Sequence, residues 1–140
     1  MSTDTRDSYG YFHHMQTRWN DNDVYGHVNN AVYYTWFDTL VNNFLIAHDL
    51  LVIGQSKTIG LVVDTRCQYY APVSYPQSIC AGLRVGKIGT SSVCYEIGLF
   101  VEDDDTPCAS GHFVHVYVNE KTRKSTPISD EMRSVLARMS

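Results

Sequence analysis

The stretch DNDVYGHVNNAVYYTWFDTLVNNFLIAH, Asp21–His48, decides how this chain is read. It opens on an Asp- and Asn-rich turn containing Gly26 and His27, then runs into a long segment without Pro or Gly, dominated by apolar and aromatic residues. Short polar side chains in such a turn bond nearby backbone and favour helix N-caps. A helix is therefore expected to begin within a residue or two of Val28. Along it Tyr33, Phe37, Leu40, Val41 and Phe44 fall on one broad face, while Thr35, Asp38, Thr39 and Asn42 gather on the other. About 20 residues of helix measure ~30 Å, enough to lie along a whole sheet. His48, Asp49 and Gly54 mark where it ends.

Upstream, YFHHMQTRW at positions 11–19 reads as a first strand, with Tyr11, His13, Met15 and Thr17 on one face and Phe12, His14, Gln16 and Arg18 on the other. Downstream of Thr58 the character changes to β-branched and alternating residues, in the segments TIGLVVDTRCQYYAP, SICAGLRVGKIG, SSVCYEIGLFVEDDD and ASGHFVHVYVNE. The breaks APVSYPQ, GKIGTS and EDDDTP carry Pro, Gly, Asp or Ser, and the spacing of the strands suggests a meander. A short second helix is expected from Ser129 to Met139, with Asp130 and Glu131 in its first turn. This order defines a single α+β domain over residues 1–140, with residues 1–9 as a flexible start. One face of the sheet can bury against the long helix, and the other needs a partner, which oligomerisation would supply.

Composition narrows the function classes. At 140 residues the chain can bury a core without disulfide or metal staples. No apolar run approaches the roughly 20 residues needed to cross a bilayer, and the start MSTDTRDSYG lacks the apolar core of a secretory signal. A cytoplasmic protein without membrane attachment is expected. A net charge of −4 gives no reason to expect a nucleic-acid partner. Cys67, Cys80, Cys94 and Cys108 form no CxxC pair, so they read as buried free thiols rather than a zinc ribbon or redox dithiol. His13 and His14 are adjacent, and His112 and His115 are three apart, so on strands neither pair can grip one metal. No metal and no cofactor are expected.

Asp21 and Asp23, set among Asn20 and Asn22 just before Gly26, could be calcium ligands, caps or a catalytic carboxylate. The calcium reading fails, because no bidentate acid follows at the spacing an EF-hand requires. One acid can cap and the other can react. A carboxylate beside a helix N-terminus has a logic for acyl transfer, since unsatisfied N–H groups there can hold a carbonyl oxygen as it becomes anionic. Gly26 would let the backbone approach a substrate closely, and His27 could orient the acid, contact the substrate, or simply cap and pack. The turn VGKIGTSS, with Lys87, Thr90, Ser91 and Ser92, has groups that can meet a phosphate, although a solvated hairpin is the plainer reading. Lys121, Arg123 and Lys124 stand out in an otherwise acidic chain.

The stretch TRWNDNDVYGHVNNAVYYTWFD, residues 17–38, resembles the opening motif of the 4-hydroxybenzoyl-CoA thioesterase family of hotdog-fold proteins, especially its acyl-CoA thioesterase branch with the GHVNN form. The likeness continues through the strand order, the GTSS hairpin and the STPIS tail. What it implies is a curved five-stranded antiparallel sheet wrapped round the long helix, with a short C-terminal helix. It also implies a homodimer as the minimal active unit, with sites at the interface, and assembly to a homotetramer. By the same resemblance Asp23 is the catalytic acid, Asp21 is structural, and the N–H that polarises the thioester falls near Asn30. Tyr25, Gly26, His27 and Asn29 would shape the pocket, and Lys87, Thr90, Ser91 and Arg123 would meet CoA. His27, Asn29 and Asn30 stand where the benzoyl-specific branch carries apolar or aromatic groups, which points to a fatty acyl group. Hydrolysis of an acyl-CoA is the expected activity. An acyl-carrier-protein thioesterase and a noncatalytic acyl-thioester-binding protein are the alternatives.

Overall fold

In the computed structural model, which describes residues 3–140, helix α1 spans Asn30–Ala47. It starts two residues after Val28 because Asn29 holds an extended backbone and its side chain accepts from the Ala31 N–H at 2.9 Å. The apolar face is the one expected: Tyr33 is 3% exposed and Phe37, Leu40, Val41 and Phe44 are wholly buried, with Trp36 and Leu45 widening the stripe. Burial of side chains of this size stabilises by about 1.5–3 kcal/mol each, so packing rather than intrinsic propensity holds the helix. His48 closes it, and Asp49 takes the left-handed conformation at φ 56°.

Five antiparallel strands wrap round this helix: β1 (Tyr11–Gln16), β2 (Thr58–Tyr69), β3 (Ser78–Ile88), β4 (Ser92–Val101) and β5 (Ala109–Asn119). Their spatial order is β1-β3-β4-β5-β2. The expected meander therefore holds for β3, β4 and β5 but not for β2. Because β3 takes β1 as its outer neighbour, β2 pairs with β5 at the far edge and the 70–77 link crosses the end of the sheet. Alternate residues, among them Ile79, Leu83, Tyr95, Ile97, Leu99 and Phe113, face inward and form one core with α1. Helix α2 (Asp130–Ala137) starts at Ser129, whose hydroxyl accepts from the Met132 N–H, and it buries Met132, Val135 and Leu136.

The outer face of the sheet differs from the bare surface anticipated. A 3-10 turn at Arg6–Ser8 brings Tyr9 across it into a second cluster with Cys80 and Phe100. Tyr9 lies over Gly82 and Gly98, directly paired on β3 and β4, where a Cβ would come within 3.0 and 2.7 Å of the side chain. Arg84 lies 4.9 Å from the Tyr9 ring and pairs with Glu96 and Asp4. The outer face is thus partly covered by the chain itself and partly charged. Of the start expected to be flexible, residues 1 and 2 lie outside the described residues, whereas Tyr9 is only 7% exposed. Within the sheet, apolar side chains are exposed along the β2 edge, where Leu61, Val62 and Val63 are 38%, 45% and 59% exposed. Among the described residues no helix is long and apolar enough to cross a membrane.

Candidate active site at the start of helix α1

The two acids that look alike in sequence have different environments. Asp21 is 2% exposed, and its carboxylate accepts from the Arg18 backbone N–H at 2.8 Å and from the Arg18 guanidinium at 2.8 and 3.0 Å. Its own carbonyl accepts from the Asn29 N–H, so Asp21 ties the loop to the helix cap. Asp23 is half-buried. One of its oxygens accepts from the Tyr25 N–H at 2.9 Å, and the other lies 3.5 Å from the Asn29 side-chain amide, a long contact. An acid with a second oxygen so lightly held is available for chemistry.

The loop holding Asp23 is a compact turn. The Asp23 N–H donates to the His27 carbonyl and the Gly26 N–H donates to the Asp23 carbonyl, with Gly26 at φ 83°, a conformation that suits glycine. The 70–77 link braces it: Val28 N–H donates to the Val73 carbonyl, the Ser74 hydroxyl to the Gly26 carbonyl, and the Tyr75 N–H to the Asn22 side chain. At the first turn of α1 the Ala31 and Val32 N–H groups are taken by Asn29. Among the described residues the Asn30 N–H has no hydrogen-bond partner. An unpaired N–H at the positive end of an 18-residue helix can receive a developing oxyanion.

Asn30 lines a cleft of about 330 Å³ together with His27, Val28, Tyr33, Tyr69, Tyr70, Ala71 and Pro72. Burial pushes the Tyr33 and Tyr69 phenols well above their ordinary range, with nearby Cys67 adding to both and Cys108 to Tyr33. Burial likewise pushes the Cys67 thiol up to about 11 and Cys108 up to about 12. These groups stay protonated at neutral pH and are poor nucleophiles. The other groups near the cleft with acid–base chemistry are His27 on its wall and the Asp23 carboxylate, whose backbone N–H donates to the His27 carbonyl.

Asp23, Gly26, His27, Asn29 and Asn30 are therefore gathered at one place, with His27 and Asn30 on the cleft wall. Tyr25 stands apart, 83% exposed at the tip of the turn. Tyr33, Tyr69, Tyr70 and Pro72 were not anticipated from sequence. The paired tyrosines at 33–34 and 69–70 were the available signal, but only the strand order reveals that the end of β2 reaches the first turn of α1.

Lys87, Thr90, Ser91 and Arg123 sit at the other end of the protomer. The Gly89–Ser92 turn is tied to the C-terminal segment, with the Arg133 guanidinium donating to the Gly89 and Thr90 carbonyls, Ile128 N–H to Thr90 and Tyr117 N–H to Ser91. Arg123 lies in the turn after β5, at φ 62°. This is the C-terminal end of α1, about 27 Å along the axis from Asn30 at 1.5 Å per residue. Within one protomer these residues and Asp23 do not meet.

A family model described as "Thioesterase-like superfamily" matches residues 17–136. Among solved structures, the PA5185 protein from Pseudomonas aeruginosa strain PAO1 is 47% identical with a TM-score of 0.94, over 98% of this chain and 96% of that one. The PA2801 protein of the same species is 28% identical with a TM-score of 0.83, over 89% and 95%. BH1999, a gentisyl-coenzyme A thioesterase, superimposes with a TM-score of 0.81 at 22% identity, over 90% and 99%, a likeness of fold.

Proposed function

Because the chain belongs to the thioesterase-like superfamily, we propose that it hydrolyses a fatty acyl-CoA thioester to the free acid and CoA. Asp23 acts as nucleophile or general base, and the Asn30 N–H holds the carbonyl oxygen. The observation that carries this reading is the unpaired N–H at the start of α1 beside a lightly held carboxylate. As a base, Asp23 takes a proton from water while the hydroxyl attacks the thioester carbon, and the C–S bond then breaks with the sulfur receiving the proton. As a nucleophile, its oxygen adds to the thioester carbon, the C–S bond breaks to release CoA as the thiol, and water then opens the acyl–Asp23 anhydride to the free acid and the regenerated carboxylate. Within the superfamily, the GHVNN sequence from Gly26 to Asn30 supports reading the chain with the acyl-CoA branch of the 4-hydroxybenzoyl-CoA thioesterase family.

The working unit in this reading is a homodimer, which assembles further to a tetramer in the cytoplasm. The edge of β2 carries exposed Leu61, Val62 and Val63 and has only β5 as a neighbour. Two copies pairing antiparallel through this edge set the Thr58 end of one strand beside the Tyr69 end of the other. The turn after β5 travels with Thr58, since the Glu120 N–H donates to the Lys57 carbonyl. Arg123 of a second copy is thereby carried toward the first copy's cleft, with Lys87 at the end of β3 and Thr90 and Ser91 in the following turn lying farther in. This gives the expected CoA contacts a route to the site that one protomer does not provide.

The test is a panel of acyl-CoAs from short to long, with aryl-CoAs and acyl-carrier-protein thioesters, read by release of free thiol. Turnover of fatty acyl-CoAs is expected. Equal rates on carrier-protein thioesters would remove the special status of CoA. Binding without turnover across the whole panel would make the protein a noncatalytic acyl binder.

A further inference from the structure

We propose that Tyr69 is the residue that sets acyl-group selection, as a pinned aromatic wall across the mouth of the α1–β2 space. This rests on the reading of the cleft as a thioester site. Tyr69 is the last residue of β2, and its hydroxyl donates to the Asn30 carbonyl at 3.1 Å. It therefore holds the same residue whose N–H is the oxyanion donor. Its ring meets Tyr33 edge-on, with centroids 4.8 Å apart and planes at 79°, and Tyr33 in turn lies 5.1 Å from Trp36. Anything bound with its carbonyl at the Asn30 N–H has this pair of rings beside it.

The neighbours of Tyr69 give the ring its leverage. It faces inward on β2, opposite Ala109 on β5, and the next inward position is Cys67, opposite Gly111. These are small side chains. At Gly111 a Cβ would come within 2.8 Å of the Phe37 ring, which already covers that position. Tyr69 and Tyr33 are the bulky groups on the cleft wall itself. Tyr33 belongs to the core at 3% exposure, whereas Tyr69 is 44% exposed and is the one that can be removed without opening the core.

With the ring in place the cleft favours a short or compact acyl group. Replacing it adds the volume of the ring to the cleft beside Tyr33. Each further methylene taken out of water changes relative binding by about fourfold.

The experiment measures kcat/KM over straight-chain acyl-CoAs of increasing length for the wild type, Tyr69→Phe and Tyr69→Ala. Equilibrium binding of the same thioesters to Asp23→Asn forms of all three is measured in parallel. Tyr69→Ala is expected to raise the ratio of long- to short-chain kcat/KM by roughly 15- to 60-fold, room for two or three methylenes. Tyr69→Phe keeps the wall and loses only the pin, so its ratio should move less than fivefold. An unchanged profile in a folded Tyr69→Ala protein would overturn the proposal and leave the hydrolase reading standing. If nothing is turned over, the binding series still decides the wall. If the thioesters neither react nor bind, the site reading and the wall fall together.

Discussion

The two ends of α1 teach different lessons about what makes a site. The C-terminal end borders a cavity of about 290 Å³, lined by Asp49, Leu50, Thr58, Tyr117, Thr126, Ile128, Glu131 and Met132 among others. Its volume is close to the roughly 330 Å³ of the N-terminal cleft. Its chemistry differs, because the helix carbonyls there are already taken: His48 N–H donates to Phe44, Asp49 N–H to Ile46 and Leu50 N–H to Leu45. The α1 dipole end is negative there and the Asp49 and Glu131 carboxylates stand on the wall, so an anionic thioester meets repulsion. At the N-terminal end a donor is unpaired and a carboxylate is half-free. In the proposed reading what singles out the N-terminal end is a half-free carboxylate beside a backbone donor, not cavity size.

The largest break in that comparison is expected from Asp23→Asn. Removing a base or nucleophile should lower kcat by roughly a hundred- to ten-thousand-fold. Thermal unfolding should change little, since the side chain makes one short bond to backbone. Glu131→Gln, in the C-terminal cavity, should leave kcat within twofold. A Glu131→Gln variant that lost activity while Asp23→Asn kept it would exchange the roles of the two ends.

The C-terminal half should answer to pH through stability instead of rate. His115 is 2% exposed, with Nδ1 3.1 Å from the Tyr117 hydroxyl, which lies 2.7 Å from that of Tyr95. Burial lowers the His115 pKa from 6.5 to about 4. Between those values the unfolded chain binds a proton that the folded one does not, so stability falls as pH drops from 6.5 toward 4. The loss approaches about 3 kcal/mol. In denaturant titrations, His115→Phe should show a shallower decline than wild type across that window. Parallel declines would mean that His115 does not carry the effect.

Asp21→Asn separates the acids by stability. Losing the charge that binds Arg18 should cost about 2 kcal/mol, several degrees in Tm for a domain of this size. Activity per folded molecule should stay within a few-fold of wild type. Loss of turnover without loss of Tm would give Asp21 a chemical role.

These contrasts also show what a sequence can carry. The 3.6-residue stripe from Tyr33 to Phe44 located α1 because burial of one face is a local periodic signal, and the Asn-rich turn located its cap. Alternation placed each strand and sorted the two faces of β1. Neighbours in space were a different matter: alternation is the same whichever strand lies alongside, so nothing local sent β2 to the far side of β5. That one placement brings Tyr69 to Asn30. Likewise Asp21 and Asp23 are indistinguishable in composition. What distinguishes them is that Arg18 folds back on one of them.

The finest test of the N-terminal end is Asn29→Asp. Asn29 does two things with one amide: its oxygen accepts from the Ala31 N–H, and its nitrogen lies 3.5 Å from Asp23. Aspartate caps a helix as well as asparagine and suits the positive end of the dipole, so Tm should hold or rise slightly. It cannot donate to Asp23, however, and it sets a second carboxylate close to the first. Like charges at that distance raise the pKa of the pair, because both cannot be ionised at once without penalty. At neutral pH kcat/KM should fall about tenfold, and the acid limb of its pH profile should move to higher pH, with activity partly regained on the alkaline side. Asn29→Ala removes cap and donor without adding charge, so it should lose about 1 kcal/mol of stability and keep the wild-type pH limb. If Asn29→Asp retains both the rate and the pH profile of wild type, Asn29 serves only the helix, and Asp23 is positioned by its own turn.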